Sequence, residues 1–108
     1  MQKLAEKYNG WTNYETWCVA LWLENDECNY RYWNTAAVEI RDRAKICRQV
    51  RAGIWTEEDA VRFNLADLIE SEVSQASPIT EPTLYNDLLT ASLAEVDWLE
   101  IADSVIQR

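Results

Sequence analysis

The residues best placed to do chemistry in this sequence are carboxylates. Asp59, Asp67 and Glu70 share one side of a helical pattern, opposite its apolar stripe, and Phe63, the only phenylalanine, falls on that same side. Further on, Asp97, Glu100 and Asp103 line the outer side of a second helical pattern. Carboxylates three or four residues apart on a helix stand about 5 to 6 Å from one another. Phosphates along one DNA strand advance by about 3.4 Å per step. Such a face can therefore imitate a phosphate backbone and occupy a nucleic-acid-binding groove on another protein. Phe63 would add an apolar anchor to an interface that is mostly electrostatic. The plainer reading is a solvated acidic face that keeps the protein soluble.

Charge is unevenly placed along the chain. Residues 1–55 hold eight Lys/Arg and seven Asp/Glu, whereas residues 56–108 hold two Arg and twelve Asp/Glu, a net of −10. The overall −9 therefore arises in the second half. A duplex or an anionic membrane repels such a surface, so direct nucleic-acid binding is not expected. One basic edge stands against this field: Arg41, Lys45 and Arg48 follow at i, i+4 and i+7, with Arg31 and Arg51 near the ends of the same element. The expectation is that they pair with the acidic helices or with Glu39 and Asp42.

Other chemistries lack their residues. There is no histidine, and Cys18, Cys28 and Cys47 form no Cys-x-x-Cys pair, so an ordinary zinc set cannot be assembled. A cysteine nucleophile would have no histidine to activate it. No glycine-rich phosphate loop and no Gly-x-Ser-x-Gly turn is present. The sequence thus predicts no enzyme, with no catalytic residue, no cofactor and no metal. The cysteines read as reduced thiols on helix faces of a cytoplasmic protein. No signal-peptide pattern and no apolar run of about 18 residues occurs, so no membrane association is expected.

The elements that must position these residues are helical. Gly and Pro total four, and the β-branched residues form no alternating runs. At 108 residues the chain predicts one domain, 1–108, an all-α bundle of four to five helices with a Trp-rich core. Residues 1 to 8 read as a loose first turn, and Asn9-Gly10 as a tight turn. Thr12 and Glu15 have capping-box spacing and predict a helix from Asn13 to about Glu24, with Trp11 stapled onto Thr16 or Trp17. Asn25 caps a second helix, whose stripe Tyr30, Trp33, Ala37, Ile40, Ala44, Cys47 steps by 3 and 4 up to a stop at Gly53. Thr56 caps a third, with core positions Val61, Leu65, Leu68, Ile69, Val73 and Ala76. Pro82 opens a short fourth helix to about Thr90. Ser92 with Glu95 caps the last, Leu93 to Ile106, with Trp98, Ile101, Ala102, Val105 and Ile106 inward. A small strand pair near Ile54-Trp55 and the Pro78 loop is the competing reading.

The stretch from Gly10 to Trp33 carries four of the six tryptophans, and Trp17 to Leu23 is apolar without interruption. The first helix therefore reads as buried almost all round. Yet from Trp17 to Trp22 a helix turns by about 500°, which sets the two rings roughly 140° apart. One of them needs a second layer or meets the surface. In the second case Trp22 or Tyr32 becomes a partner anchor.

GWTNYETW, continuing through ALWLENDE, resembles the opening of a family of small phage, plasmid and cyanobacterial proteins that share a Trp-x-Asn-Tyr-Glu-Thr-Trp start. SLAEVDWLEIAD is similar to the same family's closing helix. The resemblance covers about a third of the chain and brings no catalytic or binding residue with it. It implies a mobile-element setting, in which small proteins act on host machinery or host defence. The expected function is a protein-binding inhibitor or modulator. It would set Asp59, Phe63, Asp67, Glu70, Asp97, Glu100 and Asp103 against the basic groove of a host nucleic-acid machine, of an anti-CRISPR or anti-restriction kind. The alternative is an adaptor domain that forms a homodimer through exposed aromatics.

Overall fold

A computed structural model describes residues 8–108. The expected first turn lies outside them except for Tyr8. Among the described residues six helices follow in order: α1 (Tyr14–Glu24), α2 (Glu27–Ala44), α3 (Arg48–Arg51), α4 (Glu57–Gln75), α5 (Leu84–Ala94) and α6 (Trp98–Ile106). Five are nine residues or longer and α3 is a single turn, so the all-α expectation holds. The one β pairing described is an isolated bridge between Tyr8 and Trp11. Asn9 (φ 47°) and Gly10 (φ 88°) turn the chain between them, the conformation that favours Asn-Gly in a two-residue reversal. No strand forms at Ile54-Trp55, because both amides bond back to the Gln49 carbonyl and close the end of α3.

The caps lie one to five residues from several expected positions. Asn13, not Thr12, caps α1: its Oδ1 accepts the Thr16 amide at 2.9 Å. Thr12 is drawn elsewhere, its amide donating to Glu100 Oε1 at 2.9 Å. Asp26 replaces Asn25 at the start of α2, accepting from the Cys28 amide. Thr56 caps α4 as expected, through the Asp59 amide. Ser92 caps nothing and lies inside α5; Thr83 caps that helix and Asp97 caps α6. Both true caps accept from the amide three residues on, at 3.2 and 3.1 Å.

The expected single helix from Asn25 to Gly53 is broken. After Ala44 the amides of Ile46 and Cys47 bond three residues back, and Cys47 is extended at ψ 136°. The break turns Val50 and Trp55 onto Ala44, Ala60 and Val61, where they form a small second core. A straight continuation would carry them away from α4. The main core lies where α2, α4 and α6 meet, around Leu65, Ile69 and Ile101.

Seven of the fourteen buried apolar residues are alanines, which lets these helices approach closely. Of the tryptophans only Trp33 is buried. Trp11 and Trp98 pack against the edge of the main core and Trp55 against the second. The core is therefore alanine-lined and aliphatic, with tryptophans around its rim. Nor is α1 buried all round: only Thr16 and Ala20 are enclosed, and Trp22 is the ring that meets solvent. Trp17 packs on Tyr8, with ring centroids 4.9 Å apart, and Trp11 lies against the main core.

Candidate protein-docking surface

The two segments that carry the sequence resemblance meet in space. Thr16, fully buried, donates its hydroxyl proton to Asn13 Oδ1 at 2.6 Å and accepts the Asp97 amide at 2.9 Å. Asn13 Nδ2 donates to the Glu95 carbonyl at 2.6 Å. Thr12 reaches Glu100, as above. The start of α1 is thus bolted to the turn between α5 and α6 and to the first turn of α6 by three hydrogen bonds, Thr12 to Glu100, Asn13 to Glu95 and Asp97 to Thr16. This joint fixes where α5 leaves the core.

The seven predicted site residues are divided by the fold. Asp97 and Glu100 belong to the joint, one as a cap and one as an acceptor, so neither forms an open acidic face. Asp103 holds Arg62 in a two-pronged bond, Oδ1 to Nε at 2.7 Å and Oδ2 to Nη2 at 3.2 Å. That bond, followed by the carboxylate's charge, pushes the Arg62 pKa above its ordinary value. Asp59 lies 3.7 Å from the same guanidinium. Phe63 is half-buried, edge-on to Trp55 with centroids 5.1 Å apart, so it packs on a residue at the rim of the second core more than it stands out as an anchor. The helical wheel put it outside because it did not foresee α3 folding back. Asp67 and Glu70 are exposed, with no ion pair among the described residues.

The basic edge is the reverse of what was expected. Cross-element ion pairs join Arg62 to Asp103 and Arg108 to Glu24 at 3.0 Å. Arg31 pairs only with its neighbour Glu27. Arg41, Arg43, Lys45, Arg48 and Arg51 are exposed and make no ion pair among the described residues. Ile46 and Ile54, at either end of α3, are exposed among them. A groove of 670 Å³ beside this edge is lined by Arg41, Glu57, Asp59, Arg62 and Asp103, and its charges are partly satisfied by one another. No group of three or more His, Cys, Asp or Glu converges to hold a metal among the described residues. No helix there is long and apolar enough to cross a membrane.

What sequence reasoning missed is the exposed apolar face of α5, a helix it expected. This helix has no buried residue. Leu89 and Leu93 turn inward and, with Trp22, Val73 and Pro78, line a mostly apolar groove of 390 Å³. Away from the groove the helix presents Leu84, Tyr85 and Leu88, which are 67, 69 and 57% exposed; Trp22, on the groove's wall, is 71% exposed. Tyr85 stands one turn before Leu89, so the patch runs on into the groove. The signal was in the sequence. Leucines at 84, 88, 89 and 93 make both flanks of one short helix apolar, and such a helix needs two neighbours. It has one.

The fold and surface define an all-α protein whose terminal motifs lock together and hold out an apolar helix. The chain belongs to the family of unknown function DUF7249, whose model matches residues 4–97. The match takes in the middle of the chain, where the motif resemblance was silent. No curated protein and no solved structure matches it.

Proposed function

We propose that this is a non-enzymatic protein that binds another protein and modulates or inhibits it through its α4–α5 side. The observation that carries the reading is α5, which shows Leu84, Tyr85 and Leu88 to solvent and shares a groove with exposed Trp22. Exposed Glu70, Glu81, Asp87 and Glu95 belong to the same elements or their ends. From Phe63 to Gln107 the chain has no Lys or Arg at all. An apolar patch with a rim of one sign fits a partner that offers apolar side chains among lysines and arginines. The rim sets approach and orientation, and the patch supplies most of the affinity.

The proposed partner is a basic, nucleic-acid-binding groove on a host machine of the restriction, CRISPR-type or transcription kind. Asp67 and Glu70, free and three residues apart, supply the phosphate-like charges. The motif resemblance to phage and plasmid proteins supports an origin in a mobile element. In this reading the protein works in the cytoplasm and does not itself touch nucleic acid.

The test is capture of partners from extract of the natural host, read by mass spectrometry at low and high salt. Wild type is compared with Asp67→Lys/Glu70→Lys and with Leu84→Asp/Leu88→Asp. The expected result is a nucleic-acid-binding partner, lost in high salt and reduced by about tenfold or more in either variant. A partner set unchanged in both variants would dismiss the reading.

A further inference from the structure

We propose that the α5 face of one copy docks onto the basic α2–α3 corner of a second copy, head to tail. Between Ile40 and Thr56 the chain carries five cations and one acid, Asp42. All five, Arg41, Arg43, Lys45, Arg48 and Arg51, are exposed, and Ile46 and Ile54 stand in their midst at 72 and 69% exposure. This corner has the composition that the α5 face calls for: apolar side chains among cations, bordered on the α4 side by Glu57 and Glu58 beside Arg41. The long stems of the arginines add further apolar contact.

The two faces cannot satisfy each other within one chain. Val50 and Trp55 pack the corner against Val61, near the start of α4. Leu89 and Leu93 set α5 over Val73 and Ala76, at its end. Twelve residues of helix separate Val61 from Val73, about 18 Å at 1.5 Å per residue. A two-fold pairing of α5 on α5 would bring carboxylate rims together, because neither copy has a cation there. The head-to-tail arrangement sets opposite charges against each other instead.

The size is sufficient. Trp22, Leu84, Tyr85 and Leu88 expose on the order of 500 Å², given the about 150–250 Å² that each aromatic presents. A standard interface takes about 800 Å² from each partner, roughly 60% of it apolar, which is the same amount.

This inference rests on α5 being a docking face, and the experiment separates the two claims. Sedimentation velocity is run over a wide concentration range at low and high salt, with circular dichroism to confirm folding. Leu84→Asp/Leu88→Asp disables one face and Arg48→Glu/Arg51→Glu the other. Wild type should associate at low salt and dissociate in high salt. Each variant alone should associate about tenfold or more weakly. An equimolar mixture of the two should give a heterodimer and nothing larger, since each contributes one intact face. The proposal is overturned by a monomeric wild type under every condition. It is equally overturned by self-association that survives Arg48→Glu/Arg51→Glu, or by a mixture that stays monomeric. If wild type is monomeric while host-partner capture still depends on Leu84 and Leu88, α5 remains a docking face for another protein.

Discussion

Thr16 shows how much one short polar side chain can organise. Its hydroxyl is fully buried, gives its proton to the α1 cap and takes the amide that opens the turn into α6. Valine has the same shape without either bond, so Thr16→Val creates no cavity but leaves the Asp97 amide unpaired. The expected loss is about 1–3 kcal/mol, read as a lower urea midpoint with an unchanged slope. An unmoved midpoint would mean that the joint contributes nothing to stability. Tyr32 acts between α2 and α4, donating its phenol proton to Glu72 Oε1 at 2.6 Å. That bond first, then desolvation and the charges of Glu72 and Glu39, raise its pKa above 10.0. The folded state therefore favours the neutral phenol. The contribution is complete below the unfolded value and disappears as pH rises through the folded one. An absorbance titration should show a late tyrosine phase, and Tyr32→Phe should remove it. These interactions were not legible in the sequence. Polar side chains reveal a cap by local spacing, but Asn13 and Thr12 compete at adjacent positions, and Glu100, 88 residues away from Thr12, decides between them.

At the level of elements, periodicity located what packs and misjudged what ends. The stripes of α2, α4 and α6 were legible because Trp33, Ala37 and Ala44, then Val61, Leu65 and Ile69, then Ile101, Ala102 and Val105 recur at helical spacing and are buried. The break after Ala44 was not, since no Gly or Pro marks it. It arises from packing of Val50 and Trp55 on α4, which a local pattern does not contain. Gly53 closes α3 with φ at +74° and open space where a Cβ would stand. Gly53→Ala therefore meets no neighbour and is opposed only by the left-handed backbone. It should lower stability by about 1 kcal/mol, seen as a small drop in thermal midpoint with the helical signal unchanged. A larger loss would indicate that α3 unfolds and takes the second core with it. The site was half legible for the same reason. Asp67 and Glu70 face away from every stripe and stay free, whereas the Asp97 carboxylate caps its own helix and those of Glu100 and Asp103 are drawn into contacts with distant parts of the chain.

Over the whole molecule, charge is separated more than it is paired. Five exposed cations gather at the α2–α3 corner, and every residue from 63 to 107 is neutral or acidic. Two ion pairs join different elements, Arg62 with Asp103 and Arg108 with Glu24. The Arg62 and Asp103 side chains are each about one-third exposed, so solvent already weakens that pair. A net charge of −9 acts on the fold mainly as self-repulsion. Salt shortens its reach to about 10 Å at 0.1 M. At low protein concentration, adding salt should therefore raise the thermal midpoint by roughly 2–5 °C. At high protein concentration the trend should flatten or invert in wild type, because salt also dissolves the head-to-tail contact and withdraws the stability that association lends. Leu84→Asp/Leu88→Asp lacks that contact, and its midpoint should rise with salt at every concentration. A midpoint that falls with salt in this variant would mean that the two cross-element ion pairs outweigh the repulsion. The charge on the surface would then be balanced by pairing within the fold, with little left over for a partner.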